Sequence, residues 1–114
     1  MLAMAQPEGP QPITSFESLQ AHTGEMVMYR RIPDSPDKQV GNWEGAMVQS
    51  TSNRYVTLNL IGTDVNVANH LKPHSFSGSP DYYGPTYEVR TPTEDEKEAY
   101  RGRRISYGGS YEPR

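Results

Sequence analysis

Short runs of apolar and polar residues at every second position occupy the middle of the chain. In residues 25–32 (EMVMYRRI), Met26 and Met28 alternate with Val27 and Tyr29. A two-residue period is typical of strands, because successive strand side chains point to opposite faces. The same pattern predicts strands at 43–50 (WEGAMVQS), 54–61 (RYVTLNLI) and 64–68 (DVNVA), with a turn of 3₁₀-helix at 69–73.

Two short helices are predicted beside these strands. Thr14 and Glu17 have the spacing of a capping box, and Ile13, Phe16 and Leu19 share one face of a helix that covers the core. The second helix, 94–101, begins after Thr93 with a box completed by Glu96.

Between the strands, residues 33–42 are rich in turn formers, and Asn53 suits the left-handed position of a hairpin turn. We therefore predict a mainly β protein, a small SH3-like five-stranded barrel with short flanking helices and extended termini. Three parts are expected: a flexible arm at 1–12, the helix and barrel at 13–73, and an extended Tyr/Arg-rich arm at 74–114.

The order of landmark residues resembles one known family. Gly24-x-x-Val27-x-Tyr29-Arg30-Arg31 is followed by a Pro-rich loop, Trp43-x-Gly45, Val56-x-Leu58, Val65-x-Val67 and finally His70-Leu71-Lys72-Pro73. Over residues 24–73 this is similar to the SH3-like C-terminal domain of retroviral and LTR-retrotransposon integrases. Ala46 stands where that family has the proline of Trp-x-Gly-Pro, and the last strand lacks the usual histidine.

The resemblance implies structural and binding roles for particular residues. Trp43 would plug the small barrel, Gly45 would let backbones approach at a bend, and Leu71 would cap the open end before Pro73 stops the chain. DNA contacts in the family come from basic residues on the barrel, here Arg30, Arg31, Arg54 and Lys72. The spacing is also similar to Tudor domains, in which Tyr29, Trp43 and Tyr55 would cage a methylated side chain.

Charge and composition reduce the number of functional classes that suit this chain. Among 114 residues, 11 basic and 14 acidic side chains leave a net charge of −3, which disfavours a strong nucleic-acid binder. Cysteine is absent, so disulfides and thiolate metal sites are excluded. Because the N-terminus has neither a charged n-region nor a long apolar run, we expect a soluble cytoplasmic, nuclear or virion protein without a signal peptide.

Catalytic and metal-binding patterns are missing. His70 and His74 are four residues apart, but Pro73 lies between them and no carboxylate cluster accompanies them. The acidic residues near 94 suit the start of a helix better than an acid–base pair. The prediction is a protein that is not an enzyme, with no metal and no cofactor.

Three functions remain open. The first is an interaction module whose arms dock on a protein partner in a larger assembly through Tyr82, Tyr83, Tyr87, Tyr107 and Tyr111. The second is nucleic-acid binding, in which the barrel residues act with the tail residues Arg101, Arg103 and Arg104. The third is a Tudor-like reader of methylated lysine or arginine that uses the aromatic cage.

Overall fold

The computed structural model describes residues 10–33, 37–52, 54–73, 76 and 86–113. These residues contain strands and helices in the order β1 (Pro12–Ile13), α1 (Phe16–Gln20), β2 (Met26–Ile32), β3 (Glu44–Thr51), β4 (Val56–Leu60), β5 (Ala68–Leu71), β6 (Thr86–Arg90) and α2 (Glu94–Tyr100). The prediction of a mainly β fold with short helices is confirmed.

All these strands join one antiparallel sheet in the order β1-β6-β2-β3-β4-β5. The sheet curls strongly, since Asn69 Nδ2 on β5 donates to the Tyr29 hydroxyl on β2 at 2.6 Å across two intervening strands. It does not close on itself. The expected five-stranded barrel is therefore an open, barrel-like sheet of six strands.

The concave side of the sheet, here called the inner face, carries the main apolar core. Every second residue of β2, β3 and β4 points into it, as the alternating pattern predicts. Leu71, predicted to cap the open end of the barrel, is fully buried there as a residue of β5. The members of this inner core include Leu19 of α1, Val27, Val48, Val56, Leu58, Leu71, Phe76 and Val89.

The opposite side, here called the outer face, carries a second and smaller core. Gly45 leaves room there for the Tyr100 ring of α2, because a Cβ at this position would lie 3.0 Å from Tyr100 Cζ. The Tyr100 hydroxyl also accepts a hydrogen bond from Gly45 N at 3.1 Å. Gly45 thus admits a side chain from α2, whereas the sequence predicted a close approach of two backbones. The cluster comprises Met26, Met28, Ile61 and Tyr111, packed against Trp43, Met47, Tyr100 and Ile105.

Trp43 belongs to the outer face, so the prediction that it plugs the barrel is wrong. It is half-buried and packs against the outer cluster. Its position explains this placement, because Trp43 shares the two-residue period of Gly45 and Met47, whereas Ala46 and Val48 point inward.

The fourth predicted strand is displaced along the chain. The sequence predicted a strand at 64–68 followed by a 3₁₀ turn at 69–73. The observed strand β5 begins only at Ala68 and ends at Leu71, so it occupies part of the predicted turn. The preceding residues form a loop in which Thr63 Oγ1 donates to the Val65 carbonyl at 2.6 Å. Val65 is 64% exposed, so its alternation with Val67 reflects a loop rather than a strand.

The first helix is shorter than predicted. Ser15 is its N-cap and its hydroxyl accepts a hydrogen bond from Ser18 N, so the expected box of Thr14 and Glu17 is not the cap. Ile13, predicted on the helix, pairs with Val89 as part of β1. The predicted role of α1 holds, because Phe16 and Leu19 pack into the inner core.

The second helix is placed as predicted. Thr93 and Glu96 form a complete capping box at the start of α2. Residues 86–113, assigned from the sequence to an extended arm, lie against the sheet: β6 pairs with β2, and Tyr111 is buried in the outer cluster. Asn53, Tyr82 and Tyr83 lie outside the described residues.

Neither described helix has the length and apolar character needed to cross a membrane.

Candidate binding surface

Residues 103–110 form a tight turn that reverses the chain. Ile105 N donates to the Gly109 carbonyl at 2.9 Å, and Gly108 N donates to the Ile105 carbonyl at 3.0 Å. Gly108 and Gly109 have positive φ, which suits glycine. Tyr107 also has a positive φ of 70°, the left-handed region that a large side chain adopts only at a cost.

The turn is fixed to the end of β4 by backbone bonds. Ser106 N donates to the Leu60 carbonyl at 2.8 Å, and Gly62 N donates to the Arg104 carbonyl at 2.7 Å. Ile105 forms an antiparallel bridge with Ile61. Residues 104–106 therefore extend the sheet locally beyond β4.

The Ser106 side chain ties the turn to the loop at 62–67. This hydroxyl is fully buried, and it accepts a hydrogen bond from Val67 N at 3.0 Å. It also lies 3.2 Å from Thr63 Oγ1 and 3.4 Å from the Val65 carbonyl. Because a buried donor without a partner is costly, these contacts hold the loop and the turn in one arrangement.

Asn66 forms the second tie. Its Oδ1 accepts hydrogen bonds from Tyr107 N at 2.9 Å and from the Arg104 guanidinium. Arg104 also donates to the Thr63 carbonyl at 3.3 Å. The strained backbone at Tyr107 is thus held by a side chain from another segment, which is the situation in which such strain persists.

Among the exposed side chains of the turn and loop are four that we call the Tyr107 platform: Val65, Arg103, Arg104 and Tyr107. Asp64 and Asn66 are exposed on the same loop. Tyr107 is 65% exposed and Val65 is 64% exposed, the two highest values among the large apolar side chains described. The Arg103 guanidinium lies 5.2 Å from the centre of the Tyr100 ring. An exposed aromatic residue near two arginines has the composition of binding hot spots.

Of the tyrosines predicted to dock a partner, Tyr107 alone is exposed among those described. Tyr111 is buried in the outer core, and its burial raises the pKa of its hydroxyl. Tyr87 is half-buried on β6, with its ring tilted against Tyr29 at 6.1 Å between centres. Tyr82 and Tyr83 are not among the described residues.

The predicted basic residues do not form one surface. Arg54 and Lys72 lie near the start of β4, and Arg103 and Arg104 lie near its end, so a five-residue strand separates the two pairs. Arg31 is exposed on β2.

Two further members of the predicted basic set are paired with carboxylates. Arg30 contacts Glu88 at 2.6 Å. Arg101 contacts Glu98 at 2.6 Å and Glu112 at 3.6 Å. Their charge is therefore partly neutralised within the fold.

The predicted aromatic cage is not assembled. Tyr29 lies in the inner core, where burial, with a smaller contribution from the Glu44 carboxylate, raises the pKa of its hydroxyl. Trp43 lies on the outer face, and Tyr55 packs edge-on against His70 near the start of β4.

Trp43 already has cationic neighbours from its own chain. The guanidinium groups of Arg30 and Arg90 lie 4.5 and 4.4 Å from the ring centre. Arg90 is held in turn by two hydrogen bonds to the Glu96 carboxylate, at 2.7 and 2.8 Å, which lower the pKa of Glu96. The protein's own arginines thus take the position that a methylated side chain would need.

Two cavities lie elsewhere on the described surface. One of about 430 Å³ adjoins β1 and β6, and its charged residues Glu88 and Arg90 are paired as above. The other, of about 540 Å³, has Met26, Met47 and Tyr111 among its lining residues, together with the ion pair of Lys97 and Glu94. Within the described ranges, no three metal-ligating side chains lie together.

Comparison with protein-family models, with curated proteins and with solved structures finds no match to this chain. The function proposed below is therefore based on the geometry of the platform.

Proposed function

We propose that this protein is a non-enzymatic interaction module that docks on a protein partner, in a larger complex or a viral particle, through the Tyr107 platform. The observation that supports it most is the exposed Tyr107 side chain, held at a positive φ by contacts from a separate loop. Because the backbone that carries the ring is held in advance by Asn66, less conformational entropy is lost when a partner covers this residue. Val65 adds exposed apolar area on the neighbouring loop.

The interaction is tested by the mass of the protein recovered under native conditions from its source. The chain alone has a mass of 12.8 kDa, so a bound partner is visible directly. The wild type is compared with Tyr107→Ala and with Tyr55→Ala, which removes another exposed tyrosine near the far end of β4. A partner retained by the wild type and Tyr55→Ala but lost by Tyr107→Ala supports the proposal.

Purified partner is then titrated onto each variant. Truncating a hot-spot aromatic residue costs at least about 2 kcal/mol of binding free energy, which corresponds to roughly a thirtyfold weaker affinity. Equal affinities of the wild type and Tyr107→Ala would overturn the proposal, as would a wild type that is always recovered alone.

Nucleic-acid binding is the second candidate, and the grouping of Arg103 and Arg104 with Tyr107 favours it. Bases stack on tyrosine, and arginine pairs with phosphate, in proteins that bind single strands. The integrase resemblance makes the same suggestion for residues 24–73. A salt series with a single-stranded oligonucleotide separates the candidates: steep loss of affinity with salt supports nucleic-acid binding, and no binding at low salt removes it.

A further inference from the structure

The ion pairing of the platform arginines differs from that of Arg30, Arg90 and Arg101. Arg30, Arg90 and Arg101 each have a carboxylate within 2.7 Å. Among the described residues, no ion pair joins Arg103 or Arg104 to a carboxylate. The two guanidinium groups of the platform are therefore not ion-paired within the part of the chain that the structure describes.

Arg104 is also positioned before any ligand arrives. Its guanidinium donates to the Asn66 Oδ1 and to the Thr63 carbonyl, both of which are uncharged acceptors. These two bonds fix the planar group, while its charge stays available to an acceptor from outside. A guanidinium held in this way binds a planar carboxylate with good geometry.

The surroundings favour an acidic protein segment over a nucleic-acid backbone. A phosphodiester chain carries a charge at every nucleotide, and the protein has a net charge of −3. Asp64 is exposed in the platform loop, and Glu98 and Glu112 lie near the neighbouring Arg101. A peptide with two or three carboxylates meets less of this repulsion than a phosphodiester chain, and an apolar residue beside them would cover Val65.

Resting on the proposed function, we infer that the partner presents an extended segment in which aspartate or glutamate side chains flank an apolar residue. The carboxylates bind Arg103 and Arg104, and the apolar residue packs on Tyr107 and Val65. Arg104 keeps its bonds to the loop while it binds, so the platform does not rearrange.

A pair of matched peptides tests the inference on the full chain. The acidic probe is Gly-Asp-Glu-Leu-Asp-Gly, and the control is the isosteric amide Gly-Asn-Gln-Leu-Asn-Gly, both with blocked ends. Backbone amide shifts of Tyr107, Gly108 and Gly109 report binding, and the Gly24 amide at the start of β2 serves as a remote reference. We expect saturable shifts of the platform amides, with about tenfold weaker binding of the amide peptide.

Arg103→Gln and Arg104→Gln should each reduce the affinity for the acidic peptide, whereas Arg54→Gln, at the other end of β4, should not. Three results would overturn the inference: equal affinity for both peptides, no shift of the platform amides, or tighter binding of a ten-residue oligothymidine than of the acidic peptide at this site. Recovery of the native complex separates the two proposals. If Tyr107→Ala loses the partner while both arginine variants retain it, the inference that the partner presents an acidic segment is wrong, and the proposed docking function is still supported.

Discussion

The two faces of the sheet carry cores of different residue composition. The inner core consists mainly of aliphatic residues, with Phe16, Tyr29 and Phe76, and its alternation along the strands is visible in the sequence. The outer core consists of methionine, tyrosine and isoleucine; its member Tyr111, and Ile105 packed against it, come from the segment that follows α2. The inner face holds the fold together, and the outer face supports the surface through which we propose it binds.

The inner face should give the largest loss of stability. Leu71→Ala removes a fully buried side chain and leaves a cavity, so we expect the free energy of unfolding to fall by about 2–5 kcal/mol. Val65→Ala, a smaller truncation at an exposed site of the platform, should change it by less than about 0.5 kcal/mol. Urea unfolding of both variants measures the difference. Equal losses would contradict the burial of Leu71.

The outer face should respond to a residue that fills space. In Gly45→Ala the new Cβ lies 3.0 Å from Tyr100 Cζ and 2.8 Å from the Met26 methyl group, so we expect a loss of about 1–3 kcal/mol. The same substitution in a Tyr100→Leu background should cost less, because the clashing ring is gone. Additive effects in this cycle of urea-unfolding measurements would show that α2 does not pack on Gly45.

Acid should weaken the ion pair that joins β6 to α2. Hydrogen bonds from Arg90, and from the backbone of Thr93, lower the pKa of Glu96. A lowered pKa in the folded state means that the ionised group stabilises the fold above its ordinary pKa of about 4.3, and that this contribution is lost as pH falls through the lowered value.

Glu96→Gln should therefore lower stability by roughly 1–2 kcal/mol at pH 7 and by much less at pH 3. Glu98→Gln, at an exposed ion pair, should show little change at either pH. A Glu96→Gln effect of equal size at both values would exclude the ionised pair as its cause.

The smallest effect on stability is expected at the platform itself. Tyr107→Gly relieves the positive φ but makes the unfolded chain more flexible, so stability should stay the same or rise by up to about 1 kcal/mol. Binding of the partner should nevertheless be lost with the ring. A destabilisation above about 1 kcal/mol would show that the Tyr107 side chain supports the fold rather than an interface.

The inner face could be predicted because buried apolar residues recur at every second position of a strand. The helix α2 could be predicted because the residues of its capping box lie close together in the sequence. The outer face depends on contacts between distant segments. The position of Trp43 follows its two-residue period with Gly45 and Met47, and the size of its side chain, on which the prediction of a barrel plug depends, does not decide it.

The platform could be predicted only in part. Residues 106–109, Ser-Tyr-Gly-Gly, are a turn signal, and Tyr107 was among the predicted docking residues. Asn66 and Ser106 were missed because their roles come from hydrogen bonds between segments about forty residues apart, to which no spacing rule applies.

The ordered packing of the last residues on the sheet is the claim on which the platform depends, and amide hydrogen exchange tests it most directly. The amides of Gly102, Ser106 and Tyr111 donate to backbone carbonyls at 2.8–2.9 Å, so they should exchange on the order of a hundredfold more slowly than in an unstructured peptide. Exchange of all three at the unstructured rate would mean that this segment is the free arm the sequence suggested, and the Tyr107 platform would not exist.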